Sequence, residues 1–328
     1  MKKNLISVLG LSVLAAGALS GCGGDGGVKI GILQPVEHVA LGLARDGFIK
    51  GLKENGFENA KIDYRNAGGN DADLNLLAKD LVDTSSLTLG IGTGASLALK
   101  GAEDNAGYNK PLLFTAVTDP VQAGLVKSKD NTSGYVCGTT DANPVEEQIA
   151  LVKEFNKDAT KVGIMYTQTE VNSKVQADQA DAAIKAAGMA SSIKTCSNSS
   201  DIKATAEALV SEGVNAIYLP TDNNIAANMN AVKDAATNKG VLIVCGEENM
   251  VLGGGHVTLS IDYFSLGFAT GKMAAQILKN EKKPTDFPVV PVASSECTYA
   301  YSASALASSG LTMSEELLNK HEWKNLDK

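Results

Sequence analysis

An internal duplication constrains the fold of this chain more than any other feature of its sequence. An apolar, β-branched run begins at Lys29 and is followed by a loop and a helix pattern, and a matching run begins at Lys161. The helix pattern that opens on Asp73 has a counterpart that opens on Asp201, each with an apolar stripe at helical spacing. The later strand patterns pair in the same way, 87–93 with 216–221 and 111–114 with 241–244.

Strands that alternate with helices in both halves predict right-handed crossovers and parallel sheets covered on both faces. We therefore predict an α/β fold with two doubly wound parallel-sheet lobes and a ligand cleft between them. The tail that follows the second half is expected to recross between the lobes. Lobe 1 would then comprise residues 28–138 and 263–292, and lobe 2 residues 139–262 and 293–328.

The first 21 residues have the pattern of an export signal. Lys2 and Lys3 give a positive start, and the apolar run from Leu5 to Ala18 is shorter than the roughly 20 residues that span a bilayer. The run that ends in Cys22 resembles the bacterial lipoprotein signal, in which cleavage precedes the cysteine and its thiol carries lipid. We predict an extracytoplasmic protein, lipid-anchored to the cell membrane through Cys22 and the flexible tether 22–27. An ordinary secretory signal is the alternative.

Charge and histidine content argue against several classes of function. The formal net charge is −8, and loss of the signal with its two lysines makes it more negative, so nucleic acid is not an expected partner. The three histidines are His38, His256 and His321, and no Ser-His-Asp, metal-ligand or phosphate-loop pattern surrounds them. We therefore expect neither an enzyme nor a bound metal or cofactor.

The cysteines of the mature chain show no Cys-x-x-Cys spacing. Besides Cys22 they are Cys137, Cys196, Cys245 and Cys297, which allow three pairings. The first three lie in apolar, strand-like runs, so we expect them to be small buried hydrophobic residues. Whether any of the four form disulfides is left open, because export permits oxidation.

Candidate site residues in the first half follow its strand patterns, because ligands bind outside the carboxyl ends of strands in open parallel sheets. Gly94 and Ala95 would let a ligand approach the backbone closely, and the helix that starts near Ser96 would present free N–H groups to a carboxylate. Thr118 can add a hydroxyl donor. The alternative is a glycine-rich turn that only packs a helix tightly against its strand.

Acidic residues occupy the matching strand ends of the second half. Asp222, Glu247 and Glu248 could form charge-assisted hydrogen bonds with an ammonium group. Because an α-amino acid carries both charges, the two halves together predict such a ligand. Each acid could instead cap a helix or face solvent, and Asp222 especially, because it precedes a helix pattern over 224–237.

Several longer stretches resemble the substrate-binding lipoproteins of ABC importers, which have the type I periplasmic-binding fold, in the branch associated with tryptophan and tyrosine. The stretches that carry the resemblance are Lys29–Gln34, Glu37 with His38, Phe114–Val121, Tyr218–Asn223 and Ile261–Tyr263. The resemblance implies capture of an aromatic amino acid and its delivery to an ABC permease in the membrane. We also expect the protein to be a monomer.

The same resemblance implies a set of ligand contacts at the strand ends and the helix starts. They are Gln34, Thr93, Gly94, Ala95, Ser96, Ala116, Thr118, Asp119, Asn172, Ser173, Asp222 and either Glu247 or Glu248.

Two other binding functions fit the same sequence. One is a nucleoside- or sugar-binding lipoprotein of an importer, and the other is the ligand domain of a sensor or receptor. A sugar site favours stacking aromatic rings, whereas aromatic residues are 5% of this chain. No helix-turn-helix pattern or second membrane span supports a regulator.

Overall fold

The computed structural model describes residues 27–130, 134–289 and 291–327. The predicted signal peptide, Cys22 and all of the tether except Gly27 lie outside these residues. The first half contains β1 (Lys29–Gln34), α1 (Val39–Glu54), β2 (Lys61–Asn66), α2 (Asp71–Thr84), β3 (Leu87–Ile91), α3 (Thr93–Ala106), β4 (Leu112–Thr115) and β5 (Val136–Gly138).

The second half repeats this alternation of strands and helices. Its elements are α4 (Val145–Phe155), β6 (Lys161–Thr167), α5 (Val171–Ala186), β7 (Ala190–Cys196), α6 (Ile202–Ser211), β8 (Ala216–Leu219), α7 (Asn223–Ala226), α8 (Met229–Ala236), β9 (Leu242–Cys245), α9 (Glu248–Leu252) and β10 (Val257–Ser260). The chain ends with α10 (Tyr263–Leu278), β11 (Thr298–Tyr301), α11 (Ala303–Ser308), α12 (Glu315–Lys320) and β12 (Trp323–Asn325).

Two sheets confirm the predicted α/β fold. The first is parallel with the strand order β2-β1-β3-β4-β5, and the second has the order β12-β11-β10-β9-β8-β6-β7. Strands β6 to β10 thus repeat the order of β1 to β5, as the duplication requires. The direction of winding changes between β1 and β3 and between β6 and β8, where doubly wound sheets leave a crevice for ligands.

The second sheet differs from the predicted parallel arrangement at β11, which runs antiparallel to β10 and pairs Thr298 with Ser260. The path of the chain explains this direction. After Ser260 the chain crosses to the first lobe and forms α10 there. When it returns, it enters the second sheet from the side where β10 ended, so the next strand must run the opposite way.

Helix α10 packs against α1 on the face of the first sheet, where Tyr263 and Leu266 share a buried core with Ala44 and Phe48. Four glycines bring the two backbones into direct contact, and we call them the glycine seam: Gly47, Gly51, Gly267 and Gly271. A Cβ atom at Gly267 would lie 1.9 Å from the carbonyl oxygen of Ala44, and one at Gly47 would lie 2.1 Å from that of Phe264. Each pair is spaced four residues apart, which places both glycines on one helix face.

The cysteines behave as the sequence predicted for three of them. Cys137, Cys196 and Cys245 are buried, and Cys297 is partly exposed. All four are free thiols in the structure.

Candidate ligand-binding site

The carboxyl ends of the strands of both sheets face one another across a cavity between the lobes, here called the inner cavity. Six of the residues predicted as ligand contacts line it: Thr93, Ala116, Thr118, Asn172, Asp222 and Glu247. The remaining lining includes residues that strand-end reasoning had not selected, among them His38, Leu41, Asp141, Met250 and Tyr263.

Asp222 is fully buried at the end of the segment that follows β8. Its carboxylate accepts hydrogen bonds from the Thr167 backbone N–H at 2.6 Å and hydroxyl at 2.8 Å, and from the Ile225 N–H at 2.9 Å. The last of these bonds caps α7, so the capping role considered from the sequence is real. Three donors hold the carboxylate in one orientation at the cavity wall.

Glu247 occupies the equivalent place after β9 and caps α9. It accepts hydrogen bonds from the N–H groups of Asn249 at 2.6 Å and Met250 at 2.8 Å. Its carboxylate also lies 3.6 Å from Nε2 of His38, which belongs to the first lobe. Glu247 therefore combines a fixed position in lobe 2 with a side-chain contact across the cleft.

Asp141 is a third buried carboxylate of the cavity wall, and the sequence analysis missed it. It lies between β5 and α4, where the chain first crosses from one lobe to the other. There it accepts hydrogen bonds from the Tyr263 hydroxyl at 2.9 Å and the Thr118 hydroxyl at 3.2 Å. Burial raises the pKa of Asp141 above its ordinary value, and the nearby Glu247 raises it further. Its only sequence signal was Tyr263, which lies in one of the stretches that carried the family resemblance.

The charges of the inner cavity favour a cationic group. Asp141, Asp222 and Glu247 line it, and no lysine or arginine is present among the described lining residues. A buried carboxylate without a cation is costly, and an ammonium group with several hydrogen-bond partners would offset that cost.

The start of α3 forms the opposite, donor-rich wall. Gly92 precedes the helix with a φ of 84° and no side-chain cap, so the first N–H groups of α3 have no intrahelical partner. The Thr93 hydroxyl is buried without a hydrogen-bond partner. Gly90 permits this placement, because a Cβ atom there would lie 2.5 Å from Cα of Ser96.

The other predicted contacts do not line the inner cavity. Gln34, Ala95, Ser96 and Ser173 are buried, and the Ser96 hydroxyl donates to the carbonyl groups of Gly90 and Gly92 within lobe 1. Asp119 accepts hydrogen bonds from the backbone of its own turn. Glu248 points away and forms an ion pair with Lys324 at 2.6 Å. Gly94 lines a second, larger space, the outer chamber.

The two lobes are closed over the inner cavity. The amide of Gln176, on α5 of lobe 2, donates a hydrogen bond to the Thr118 hydroxyl of lobe 1 at 3.1 Å. The same amide bonds Thr221 at the cavity wall. Closure therefore brings cavity-lining residues of both lobes into one hydrogen-bond network.

No group of metal-binding side chains occurs among the described residues. None of the helices in the described ranges has the length and hydrophobicity needed to cross a bilayer.

Comparison with known proteins gives consistent matches over most of the chain. Residues 29–323 match the family described as ABC transporter substrate binding protein. A tyrosine-binding protein of Clostridioides difficile (strain R20291) is 34% identical over 313 residues, which cover 90% of this chain and 89% of the relative.

Two solved structures match this fold at similar sequence identity. An ABC domain from Streptococcus pneumoniae in complex with L-Trp is 32% identical, covers 90% of this chain and 99% of its own, and has a TM-score of 0.84. The ligand-free, open structure of a substrate-binding protein with adhesive properties from Clostridium difficile is 33% identical, with 91% and 99% coverage and a TM-score of 0.68. The higher score with the ligand complex agrees with the closed lobes described above.

Proposed function

Because this chain belongs to the family of ABC transporter substrate-binding proteins, we propose that it captures a free α-amino acid, preferably an aromatic one, and delivers it to a membrane permease. The family consists of solute-binding proteins and not of enzymes. The observation that carries the amino-acid assignment is the charge asymmetry of the inner cavity. Three buried carboxylates, Asp141, Asp222 and Glu247, line this cavity together with the start of α3, whose first N–H groups lack a side-chain cap.

The ammonium group of the ligand would contact Asp222 together with Glu247 or Asp141. Asp222 is fully buried and its orientation is fixed by Thr167 and Ile225. A bound ammonium would give these carboxylates a cationic partner, which no lysine or arginine of the described cavity lining supplies.

The carboxylate of the ligand would bind at the start of α3. The unpaired hydroxyl of Thr93 and the free N–H groups beside it suit an anion, and the helix dipole adds to this preference. Ser96, which the sequence suggested for this role, uses its hydroxyl inside lobe 1. Thr93 is therefore the better candidate for a side-chain donor.

The preference for an aromatic side chain is supported by the relatives. One of them is described as a tyrosine-binding protein and another contains L-Trp. Their identities of 34% and 32% to this chain extend over nine-tenths of its length.

A thermal-shift screen of amino acids, nucleosides and sugars tests the proposed function. A ligand that binds only the folded protein stabilises it, and at 100 times Kd the gain is about 2.7 kcal/mol. We expect L-tyrosine or L-tryptophan to raise the melting temperature by about 4 °C or more. Stabilisation by a nucleoside or a sugar, with no response to any amino acid, would contradict the proposal.

The same ligand tests a hinge between lobe 1 (28–138 and 263–292) and lobe 2 (139–262 and 293–328). Two segments in which the chain passes from one lobe to the other lie side by side, which supports this hinge. Thr140, in the first of these segments, forms a parallel β-bridge with Pro291, in the last. In small-angle scattering, the ligand-free protein should be more extended and should become compact when ligand is added. An unchanged radius of gyration at saturation would argue against the hinge.

We propose that Cys22 anchors the protein to the outer side of the cell membrane through lipid. The support is the signal pattern in residues 1–21 and the cysteine that follows it. Cys22→Ala should abolish acyl labelling and membrane attachment in cells, whereas Cys297→Ala, which changes a partly exposed thiol of the folded domain, should leave both intact. Attachment that survives Cys22→Ala would disprove the anchor.

A further inference from the structure

The three buried carboxylates of the inner cavity differ in the groups that donate hydrogen bonds to them. Asp222 accepts from the N–H group of Ile225 at the start of α7. Glu247 accepts from the N–H groups of Asn249 and Met250 at the start of α9, and from the side-chain amide of Asn249 at 2.9 Å. An N–H group can donate but cannot accept, so these contacts favour the ionised form of both side chains.

Asp141 has a different environment. Apart from its own backbone N–H group, the donors to its carboxyl group within the described residues are the hydroxyls of Tyr263 and Thr118. A hydroxyl can rotate and accept a hydrogen bond instead, so both contacts can persist when the carboxyl group carries a proton. Of the three acids, Asp141 is therefore the one whose surroundings accommodate either charge state.

A neighbouring acceptor lacks a hydrogen-bond donor. The side-chain amide of Asn143 donates to the backbone carbonyl group of Asp141 at 3.1 Å and also interacts with the Tyr263 hydroxyl. The Oδ1 atom of Asn143 is buried and has no partner. Buried acceptors are normally paired, so the network around Asp141 has fewer hydrogens than its acceptors call for. One additional proton would reduce that deficit.

The charges of the inner cavity also favour a proton on Asp141. The titratable residues of its described lining are His38, Asp141, Asp222, Glu247 and Tyr263. Burial raises the pKa of Asp141, and repulsion from Glu247 raises it further. Burial also raises the pKa of Tyr263, so its phenol keeps its hydrogen. Without a cation, ionisation of all three acids in this small space is unfavourable.

Closure of the lobes strengthens the repulsion between the acids. Thr118 and Tyr263, which hold Asp141, belong to lobe 1, whereas Glu247 belongs to lobe 2. The interaction of like charges grows as they approach and as water leaves the space between them. Closed lobes therefore need either a proton or a cation among these acids, and an ammonium group would meet the same need as a proton.

We propose that a proton on Asp141 and the ammonium group of the ligand bind to the inner cavity in exchange for one another. This inference rests on the proposed amino-acid function and adds a residue that changes its charge during capture. When the lobes close without a ligand, the carboxyl group of Asp141 holds the proton. When an ammonium group binds, the O–H bond of Asp141 breaks and the proton leaves to the solvent. The carboxylate that remains is neutralised by the ammonium group.

The exchange fixes the sign of the pH dependence. Because the pKa of Asp141 is higher without the ligand than with it, binding releases protons, and affinity falls as the pH is lowered through the ligand-free value. Calorimetry with L-tyrosine should give a Kd roughly threefold or more higher at pH 5.5 than at pH 7.5. At the lower pH, the binding enthalpy should also depend on the ionisation enthalpy of the buffer, which measures the protons released.

Asp141→Asn keeps the shape of the carboxyl group but cannot exchange a proton. Its Kd for L-tyrosine should agree within about twofold at the two pH values, and proton release should vanish. Glu248→Gln neutralises an acid outside the cavity and is the matched control, which should retain both effects. An Asp141→Asn variant with the pH dependence of the unmodified protein would overturn the proposal.

His38 is the other residue of the cavity that could exchange a proton in this pH range, because its ring lies 3.6 Å from Glu247. His38→Gln removes this possibility. We expect His38→Gln to retain the pH dependence and the proton release. Loss of both in this variant would assign the exchange to the imidazole and would contradict the role of Asp141.

Tyr263→Phe is a second variant, which keeps the test decisive if Asp141→Asn fails to fold. It removes a hydroxyl that donates to the ionised form of Asp141. The pKa of Asp141 should therefore rise, and the fall in affinity should begin at a higher pH than in the unmodified protein. An unchanged pH profile would argue against the exchange.

The outcomes separate the exchange from the function on which it rests. If L-tyrosine binds with the same Kd at both pH values and releases no proton, the exchange is wrong and the proposed function stands. If no amino acid binds at either pH, the proposed function is wrong and the exchange falls with it.

Discussion

Gly267→Ala is expected to lower the free energy of unfolding by about 3 kcal/mol, because it inserts a methyl group into a contact between two helix backbones. The new Cβ atom would lie 1.9 Å from the carbonyl oxygen of Ala44, a backbone atom that cannot rotate away. Overpacking of this kind costs typically 1–3 kcal/mol, and a rigid obstacle favours the upper end. Denaturant unfolding followed by circular dichroism measures the loss.

Gly42→Ala is the control, because Gly42 lies in α1, the helix against which α10 packs, and a Cβ atom there meets nothing closer than 3.9 Å. An alanine in an open helical position is expected to stabilise by roughly 0.5–1 kcal/mol. If Gly267→Ala and Gly42→Ala changed stability equally, the close packing of α10 on α1 would be wrong. If the added methyl group moved α10 away from α1, Tyr263 would also move away from Asp141. Ligand affinity should therefore fall in Gly267→Ala and not in Gly42→Ala.

The predictable part of this structure was the part that repeats. Strands and helices occurred twice in the same order, so β1 and β6 could be matched and the strand ends of both lobes identified. Asp222 and Glu247 were found in this way, since each follows directly on a strand that ends at the cleft. The capping role of Asp222 was also visible from the helix pattern behind it.

Residues on the crossings could not be found by the same reasoning. Asp141 and Tyr263 follow no repeated pattern, and they meet only because the chain passes between the lobes more than once. The sequence also could not distinguish between two adjacent acidic residues, because their orientations depend on the local backbone geometry. Glu247 caps α9 and faces the cavity, whereas the next residue, Glu248, points outward to Lys324.

Asp222→Asn is expected to weaken the binding of an amino acid roughly a hundredfold or more. The substitution removes the negative charge, and its amide oxygen can still accept from the Ile225 N–H that caps α7. Its NH2 group replaces the oxygen that accepts from the Thr167 backbone N–H, so that hydrogen bond is lost as well. Loss of one partner of a buried charge pair costs about 2–5 kcal/mol, and each 1.4 kcal/mol is tenfold in Kd. Isothermal titration calorimetry measures the change.

Glu248→Gln provides the matched control for Asp222→Asn. It neutralises a nearby acid of lobe 2 that pairs with Lys324 outside the cavity, so the Kd should change less than about threefold. An Asp222→Asn variant that bound as tightly as the Glu248→Gln variant would exclude Asp222 as the ammonium partner.

The central claim is that the protein recognises a zwitterion, with acidic residues at its ammonium group and the N–H groups of α3 at its carboxylate. Calorimetry with L-tyrosine and two analogues tests this claim most directly. Tyramine lacks the carboxylate, and 3-(4-hydroxyphenyl)propanoate lacks the ammonium group. We predict that L-tyrosine binds at least a hundredfold more tightly than either analogue. We also predict that Asp222→Asn removes most of its advantage over the analogue without an ammonium group, because that analogue never used the carboxylate of Asp222. Equal affinity of the unmodified protein for L-tyrosine and for both analogues would contradict the account.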